Sequence, residues 1–143
     1  MLAAVVLALG FGGYRLVTDG RFGARRADEA TTQPAEGDSS TWAELGAAMA
    51  GVQPGERATL VQFSSAFCAP CRATRRILTG VAEVVPGVVH VEVDAEHHLE
   101  VVRRLGIVRT PTTLILDAAG HEIARAAGAP RKEQVLGALP AGS

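Results

Sequence analysis

Hydrophobic and polar residues follow one another in short blocks along most of the chain, in the pattern typical of alternating strands and helices. Runs of β-branched and other apolar residues predict strands. These runs cover residues 58–63, 88–93, 112–116 and 122–127. Apolar residues at helical spacing predict helices over residues 68–85, 99–105 and 131–139. Thr41 and Glu44 fit a capping box that starts a further short helix ahead of the first strand.

The predicted order is α-β-α-β-α-β-β-α. A strand–helix–strand unit implies a parallel pair of strands, and the turn at Ala119 and Gly120 implies an antiparallel hairpin. We therefore expect an α/β fold with a central mixed sheet flanked by helices.

The amino-terminal part differs in composition from the rest. Residues 2–14 are uncharged and mostly apolar, which predicts a membrane anchor over residues 1–17, with a signal peptide or a frayed terminus as alternatives. Residues 18–40 are rich in Gly, Ser, Thr and charged residues and predict a flexible linker. The folded domain is expected over residues 41–143.

The predicted anchor also allows an expectation about orientation. Arg15, Arg21, Arg25 and Arg26 all follow the apolar run, so the positive-inside rule favours a single-pass protein of the cell membrane with its domain on the cytoplasmic face.

Charge and aromatic content exclude several classes of protein. The net charge is -1 and aromatic residues make up 4%, which argues against nucleic-acid binding. Two cysteines cannot build a disulfide-dense scaffold or supply all four ligands of a structural zinc site.

The two cysteines, Cys68 and Cys71, lie where a strand and a short loop lead into a helix. The amides and dipole of the first helical turn stabilise a thiolate, and the nearby arginines add positive potential. These arginines are Arg72, Arg75 and Arg76. We expect Cys68 to be the exposed nucleophile of low pKa and Cys71, one turn later, to be the buried resolving thiol. Pro70 suits this first turn because its missing N–H has no intrahelical partner to lose.

A zinc half-site is the alternative interpretation of the cysteine pair. It would need two more ligands, and His97 and His98 are adjacent rather than three to five residues apart. A redox-active dithiol is favoured, because the pair follows a strand and opens a helix within a strand–helix–strand pattern.

From residue 58 to residue 139 the chain resembles thioredoxin. The resemblance rests on LVQFSSAFCAPCR, VVHVEVDAE, GIVRTPTTLIL and Gly128 before the last helix. It implies a thioredoxin fold and a thiol–disulfide oxidoreductase, with Cys68 and Cys71 catalytic. It also implies that Pro111 is cis against the cysteine motif and that the backbone of Thr110 pairs with an extended substrate segment.

The expected activity is that of a membrane-tethered protein-disulfide reductase, a monomer with no cofactor or metal. Its expected partners are disulfide-containing proteins and a thioredoxin-reductase-like or other thiol electron donor. Substrate binding and tuning of the redox centre are assigned to the residues around the motif. These are Gln62, Phe67, Ala69, Pro70, Arg72, Thr110 and Pro111.

Several positions depart from the thioredoxin pattern. Gln62 stands for the buried aspartate, so the route in which that acid takes a proton from the resolving thiol is missing. Phe67 and Ser64 replace two tryptophans, and Arg76 replaces the proline that kinks the helix. His90 replaces a lysine beside the buried acid and could titrate near neutral pH. We expect a working redox couple with altered proton transfer.

Two alternative functions remain open. One is an exported oxidant of similar fold. The other is a binding module for a soft metal such as Cu(I), which suits paired thiolates. Copper carriers usually add a histidine or methionine near such a motif, and Met49, the only internal methionine, lies in the first predicted helix of the domain.

Overall fold

A computed structural model describes residues 2–18, 20–24 and 40–142. From residue 41 onward the elements follow the predicted order. The elements are α1 (Leu2–Thr18), β1 (Gly23–Ala24), α2 (Thr41–Glu44), a 3-10 helix (Gly46–Met49), β2 (Ala58–Ser64), α3 (Ala69–Val84), β3 (Val88–Asp94), α4 (Leu99–Arg104), β4 (Thr112–Asp117), β5 (Glu122–Ala127) and α5 (Lys132–Ala138).

The strands form one mixed sheet in the order β1-β5-β4-β2-β3. β2 and β3 are parallel, whereas β4 is antiparallel to both β2 and β5. This confirms the predicted mixed sheet, because the parallel pair is joined through α3 and the antiparallel pair through the turn before β5. The central strand β2 is buried along its whole length.

Two apolar layers cover the two faces of the sheet. On one face Leu60 packs in a cluster with Leu78 of α3 and Val135 of α5. On the other face Phe63 packs in a cluster with Leu45 and with Val101 of α4. Because side chains alternate along a strand, Gln62 points to the same face as Leu60, towards α3.

The first helix of the domain begins one residue earlier than its capping box suggests. Ser40 is the N-cap, and its Oγ accepts from the backbone N–H of Ala43 at 3.3 Å. Thr41 is buried as the first helical residue.

The predicted membrane anchor over residues 1–17, and with it the single-pass placement facing the cytoplasm, is wrong. None of the described helices is both long enough and apolar enough to cross a bilayer. α1 has 17 residues and includes Arg15. At its helical rise it extends about 26 Å, short of a hydrocarbon core of about 30 Å.

The predicted linker over residues 18–40 differs from the structure at residues 20–24. Gly23 and Ala24 pair antiparallel with Arg125 and Ala124, which adds β1 to the sheet. Gly20, with a φ of 75°, lies so close to the chain that an added Cβ would be 2.1 Å from the carbonyl oxygen of Ala129. Only glycine fits this contact, so the segment after α1 is seated against the domain. Residues 25–39 lie outside the described residues.

Candidate active site

Cys68 and Cys71 are joined by a disulfide at the amino-terminal end of α3. The Cα atoms are 5.2 Å apart. Cys68 is the N-cap residue, and the residues after it, Ala69 and Pro70, are exposed on the first turn. Cys68 is partly exposed and Cys71 is 1% exposed, which is the predicted difference between the two thiols.

Of the arginines predicted to add positive charge near Cys68, Arg75 adds less than expected. The backbone N–H of Cys71 donates to Cys68 Sγ at 3.2 Å, which supports the expected stabilisation by the helix terminus. Arg75, however, forms a two-point ion pair with Glu92 of β3, with Nη2 to Oε1 at 2.6 Å. The hydrogen bond to Arg75 lowers the pKa of Glu92 and raises that of Arg75. Arg75 is therefore largely neutralised, and Arg72 is the exposed arginine nearest the pair in sequence.

The loop before β4 is held beside the cysteine motif by hydrogen bonds. The Thr110–Pro111 peptide bond is cis, as the resemblance implied. Thr110 Oγ1 lies 2.8 Å from Ser65 Oγ, and the N–H of Gly128 donates to the carbonyl of Pro111 at 2.8 Å. Pro70, Thr110 and Pro111 line one groove, so the structure brings together the two motifs that the sequence separates by some forty residues.

Behind the disulfide, Gln62 is fully buried and connects the resolving cysteine to β3. Its Nε2 donates to the carbonyl of Cys71 at 2.8 Å and to Ser64 Oγ at 2.9 Å. A carbonyl only accepts, so this contact determines which end of the amide faces Cys71. Gln62 Oε1 then accepts from His90 Nε2 at 3.1 Å, and His90 Nδ1 accepts from the Thr79 hydroxyl at 3.2 Å.

This chain of hydrogen bonds carries no permanent charge. Burial lowers the pKa of His90, against the opposing influence of Glu92, and Arg75 lowers it further. His90 thus favours the neutral imidazole whose Nε2 carries the proton, and the predicted proximity of His90 to Gln62 is confirmed.

Phe67, directly before Cys68, combines full exposure with an unusual backbone. Its side chain is completely accessible, and its φ is 56° in the left-handed region. A bulky residue in this region is strained, and such strain is found at functional sites where the surrounding structure maintains it.

A sequence model of the thioredoxin family matches residues 48–140. The chain belongs to the thioredoxin family. The Cys68–Cys71 disulfide lies within the matched residues. Among the described residues no group of three or more His, Cys, Asp or Glu is placed to hold a metal ion.

Individual thioredoxins are similar over part of their length. Thioredoxin H-type 1 of Nicotiana tabacum is 30% identical over 78 residues, 54% of this chain and 61% of its own length. Thioredoxin domain-containing protein 2 of Homo sapiens is 40% identical over 60 residues, 42% of this chain and 11% of its own length. The chain thus spans less than two thirds of each curated relative.

Solved thioredoxin structures share the fold. Fasciola hepatica thioredoxin has a TM-score of 0.51 at 24% identity, covering 58% of this chain and 78% of that one. A variant thioredoxin from Halobacterium salinarum has a TM-score of 0.54 at 15% identity, covering 62% and 80%.

Sequence reasoning missed three features of this thioredoxin site. Ser65 contacts Thr110, Glu92 neutralises Arg75, and several arginines line the groove beside Pro111. Only the position of Ser65 within the motif loop was a usable signal, since the other contacts join residues far apart in sequence.

Proposed function

We propose that this chain reduces disulfide bonds of protein substrates, with Cys68 as the attacking thiol and Cys71 as the resolving thiol. The proposal rests above all on the difference in exposure between the two sulfur-bearing residues beside Pro111. A substrate sulfur can reach only a thiol that solvent also reaches, which favours Cys68 as the attacking group.

The reaction needs no group other than thiols. The Cys68 thiolate attacks one sulfur of the substrate disulfide, forms a mixed disulfide and expels the other substrate sulfur as a thiolate. The Cys71 thiolate then attacks Cys68 Sγ, which releases the second substrate thiolate and forms the Cys68–Cys71 disulfide. The substrate gains two electrons, and an external dithiol donor returns two electrons to the protein.

The positions of Thr110, Phe67 and Gln62 around the disulfide indicate a role for each in the reaction. The backbone of Thr110, next to cis Pro111 and steadied by Ser65, would pair with an extended substrate segment. The exposed Phe67 would contact the substrate on the other side of the disulfide. Gln62, which is buried and donates to the carbonyl of Cys71, would affect the reactivity of the resolving Cys71 thiol.

Three further residues would set the properties of the first turn. Ala69 and Pro70 determine how closely the first turn brings the two sulfurs together, and Arg72 supplies the positive charge that Arg75 does not.

Similarity to thioredoxins favours the reducing direction. The chain is similar to thioredoxins, whose reduction potential of about -270 mV makes them reductants. A thioredoxin-reductase-like or other thiol donor would supply the electrons, and the chain would act as a monomer.

Two linked measurements on the full chain test the proposal. With dithiothreitol as donor, the wild type should accelerate reduction of a disulfide-bearing test protein, and Cys71→Ser should accumulate a mixed disulfide with that protein. Cys68→Ser is the matched control and should trap nothing. Faster oxidation of the reduced test protein, with no acceleration of its reduction, would contradict the direction, and trapping through Cys71 would contradict the assignment of roles.

A further inference from the structure

The groove beside Pro111 is lined by an unusual concentration of arginine. It has a volume of about 560 Å³ and begins at Pro70, Thr110 and Pro111. Its four arginines come from separate parts of the chain, and we name it the arginine groove after them. They are Arg15, Arg21, Arg109 and Arg131.

The charge of the arginine groove contrasts with that of the chain. The net charge of the whole protein is -1, yet no Asp or Glu occurs among the described residues that line the groove. Grouped charges of one sign in a concave surface raise the local potential and attract the opposite charge. The complementary ligand is therefore rich in carboxylates.

Backbone contacts hold Arg109 and the segment after α1 at the groove. Arg109 Nη2 donates to the carbonyl of Ala127 at 3.0 Å, and the N–H of Gly20 donates to the same oxygen at 2.8 Å. Gly20 approaches Ala129 closely, and Arg15 and Arg21 on either side of it line the groove. Arg131 is the N-cap residue of α5, and its side chain is exposed, as are those of Arg15 and Arg21.

We propose that the arginine groove binds an acidic segment of the substrate polypeptide adjacent to the disulfide that Cys68 attacks. This inference rests on the proposed function and adds a substrate preference to it. Since the groove begins at Thr110, a chain paired with the Thr110 backbone would run directly into it. Guanidinium groups bind carboxylates through two parallel hydrogen bonds, which gives orientation as well as attraction.

The test compares two peptides that contain the same intramolecular disulfide. One carries three glutamates next to one cysteine, and the other carries three glutamines at the same positions. The full chain should reduce the glutamate peptide with a kcat/KM about tenfold higher at about 0.01 M salt, and the two values should converge at about 1 M. The variant with both Arg21→Gln and Arg131→Gln should bring the low-salt ratio close to one.

Arg103→Gln, on α4 and away from the arginine groove, is the matched control and should keep the full ratio. Equal kcat/KM for the two peptides in the wild type, or an undiminished ratio in the double variant, overturns the inference while leaving the reductase function intact. Reduction of neither peptide contradicts the proposed function itself.

The chain also contains an acidic stretch of its own that could compete for the groove. Its acidic residues are Asp28, Glu29, Glu36 and Asp38. If a preference for the glutamate peptide emerges only after these are replaced by Asn or Gln, the occupant is this stretch and the inference is overturned.

Discussion

Cys71 and Cys68 are three residues apart, but their surroundings are opposite in character. Behind Cys71 lies the fully buried Gln62, which hydrogen-bonds to the Cys71 carbonyl and to the half-buried His90. Around Cys68 lie the exposed Phe67 and a groove lined by arginines. We call Gln62 and His90 the interior, and Phe67 and the arginine groove the rim. The interior should affect the reactivity of the thiols and the rim the choice of substrate. Reactivity and substrate choice should therefore change independently.

The interior should be the more sensitive of the two regions. Gln62→Leu removes three hydrogen bonds, which join Gln62 to the Cys71 carbonyl, to Ser64 Oγ and to His90 Nε2. Each of these hydrogen bonds contributes about 0.5–1.5 kcal/mol, so we expect the free energy of unfolding to fall by about 3 kcal/mol, measured by urea denaturation.

Thr113→Val is the matched control for Gln62→Leu. Thr113 is the register partner of Gln62 on β4 and is equally buried, but its hydroxyl has no hydrogen-bond partner among the described residues. Replacing this hydroxyl with a methyl group should leave stability unchanged or raise it. If both variants lost a similar free energy of unfolding, the loss in Gln62→Leu would come from changing a buried side chain in the sheet and not from its hydrogen bonds.

Substitutions at the rim should change the free energy of unfolding little, and Phe67 allows the clearest test. Phe67→Gly removes a fully exposed ring and relieves the left-handed backbone, which costs a residue with a Cβ about 1–2 kcal/mol. We expect its free energy of unfolding to rise by up to about 1 kcal/mol relative to Phe67→Ala, which keeps the strained backbone. If the two variants unfold at the same denaturant concentration, the backbone of Phe67 is not strained.

The smallest expected effect is the dependence of stability on pH that arises from His90. Because the pKa of His90 is lowered below 6.5 in the folded protein, the unfolded chain binds the proton more readily. Stability is therefore complete above pH 6.5 and is lost as pH falls from 6.5 towards the folded pKa. We expect a decrease of a few degrees in Tm across this window, and a smaller decrease in His90→Gln.

Glu92→Gln separates this effect from that of the neighbouring ion pair. The pKa of Glu92 is lowered from 4.5, so its contribution to stability is present above pH 4.5 and is lost below it. A wild-type Tm that is flat between pH 7 and pH 5 would contradict the assignment of His90.

The strands and long helices after residue 57 were predictable to within one or two residues because hydrophobic periodicity is a local property, whereas β1 was not predicted. The strand that ends in Ser64 and the helix that carries Cys71 were both found this way. The cis bond at Pro111 came only from resemblance, since nothing local distinguishes it. The pairing of Arg75 with Glu92 and the arginine groove depend on how distant segments pack. The anchor prediction rested on apolar composition, and α1, with 17 residues, is not long and apolar enough to span a bilayer.

The pairing of β1 with β5 determines where this protein can be shortened. A fragment that begins at Thr41 would expose backbone amide and carbonyl groups at Ala124 and Arg125 that Gly23 and Ala24 now cover. Uncovered strand edges recruit strands from other molecules and lead to aggregation. At the opposite edge β3 carries Glu92 and Asp94, and charged side chains oppose such recruitment. Residues 20–24 therefore cover part of this edge of the sheet, and removing them would expose it to strands of other molecules.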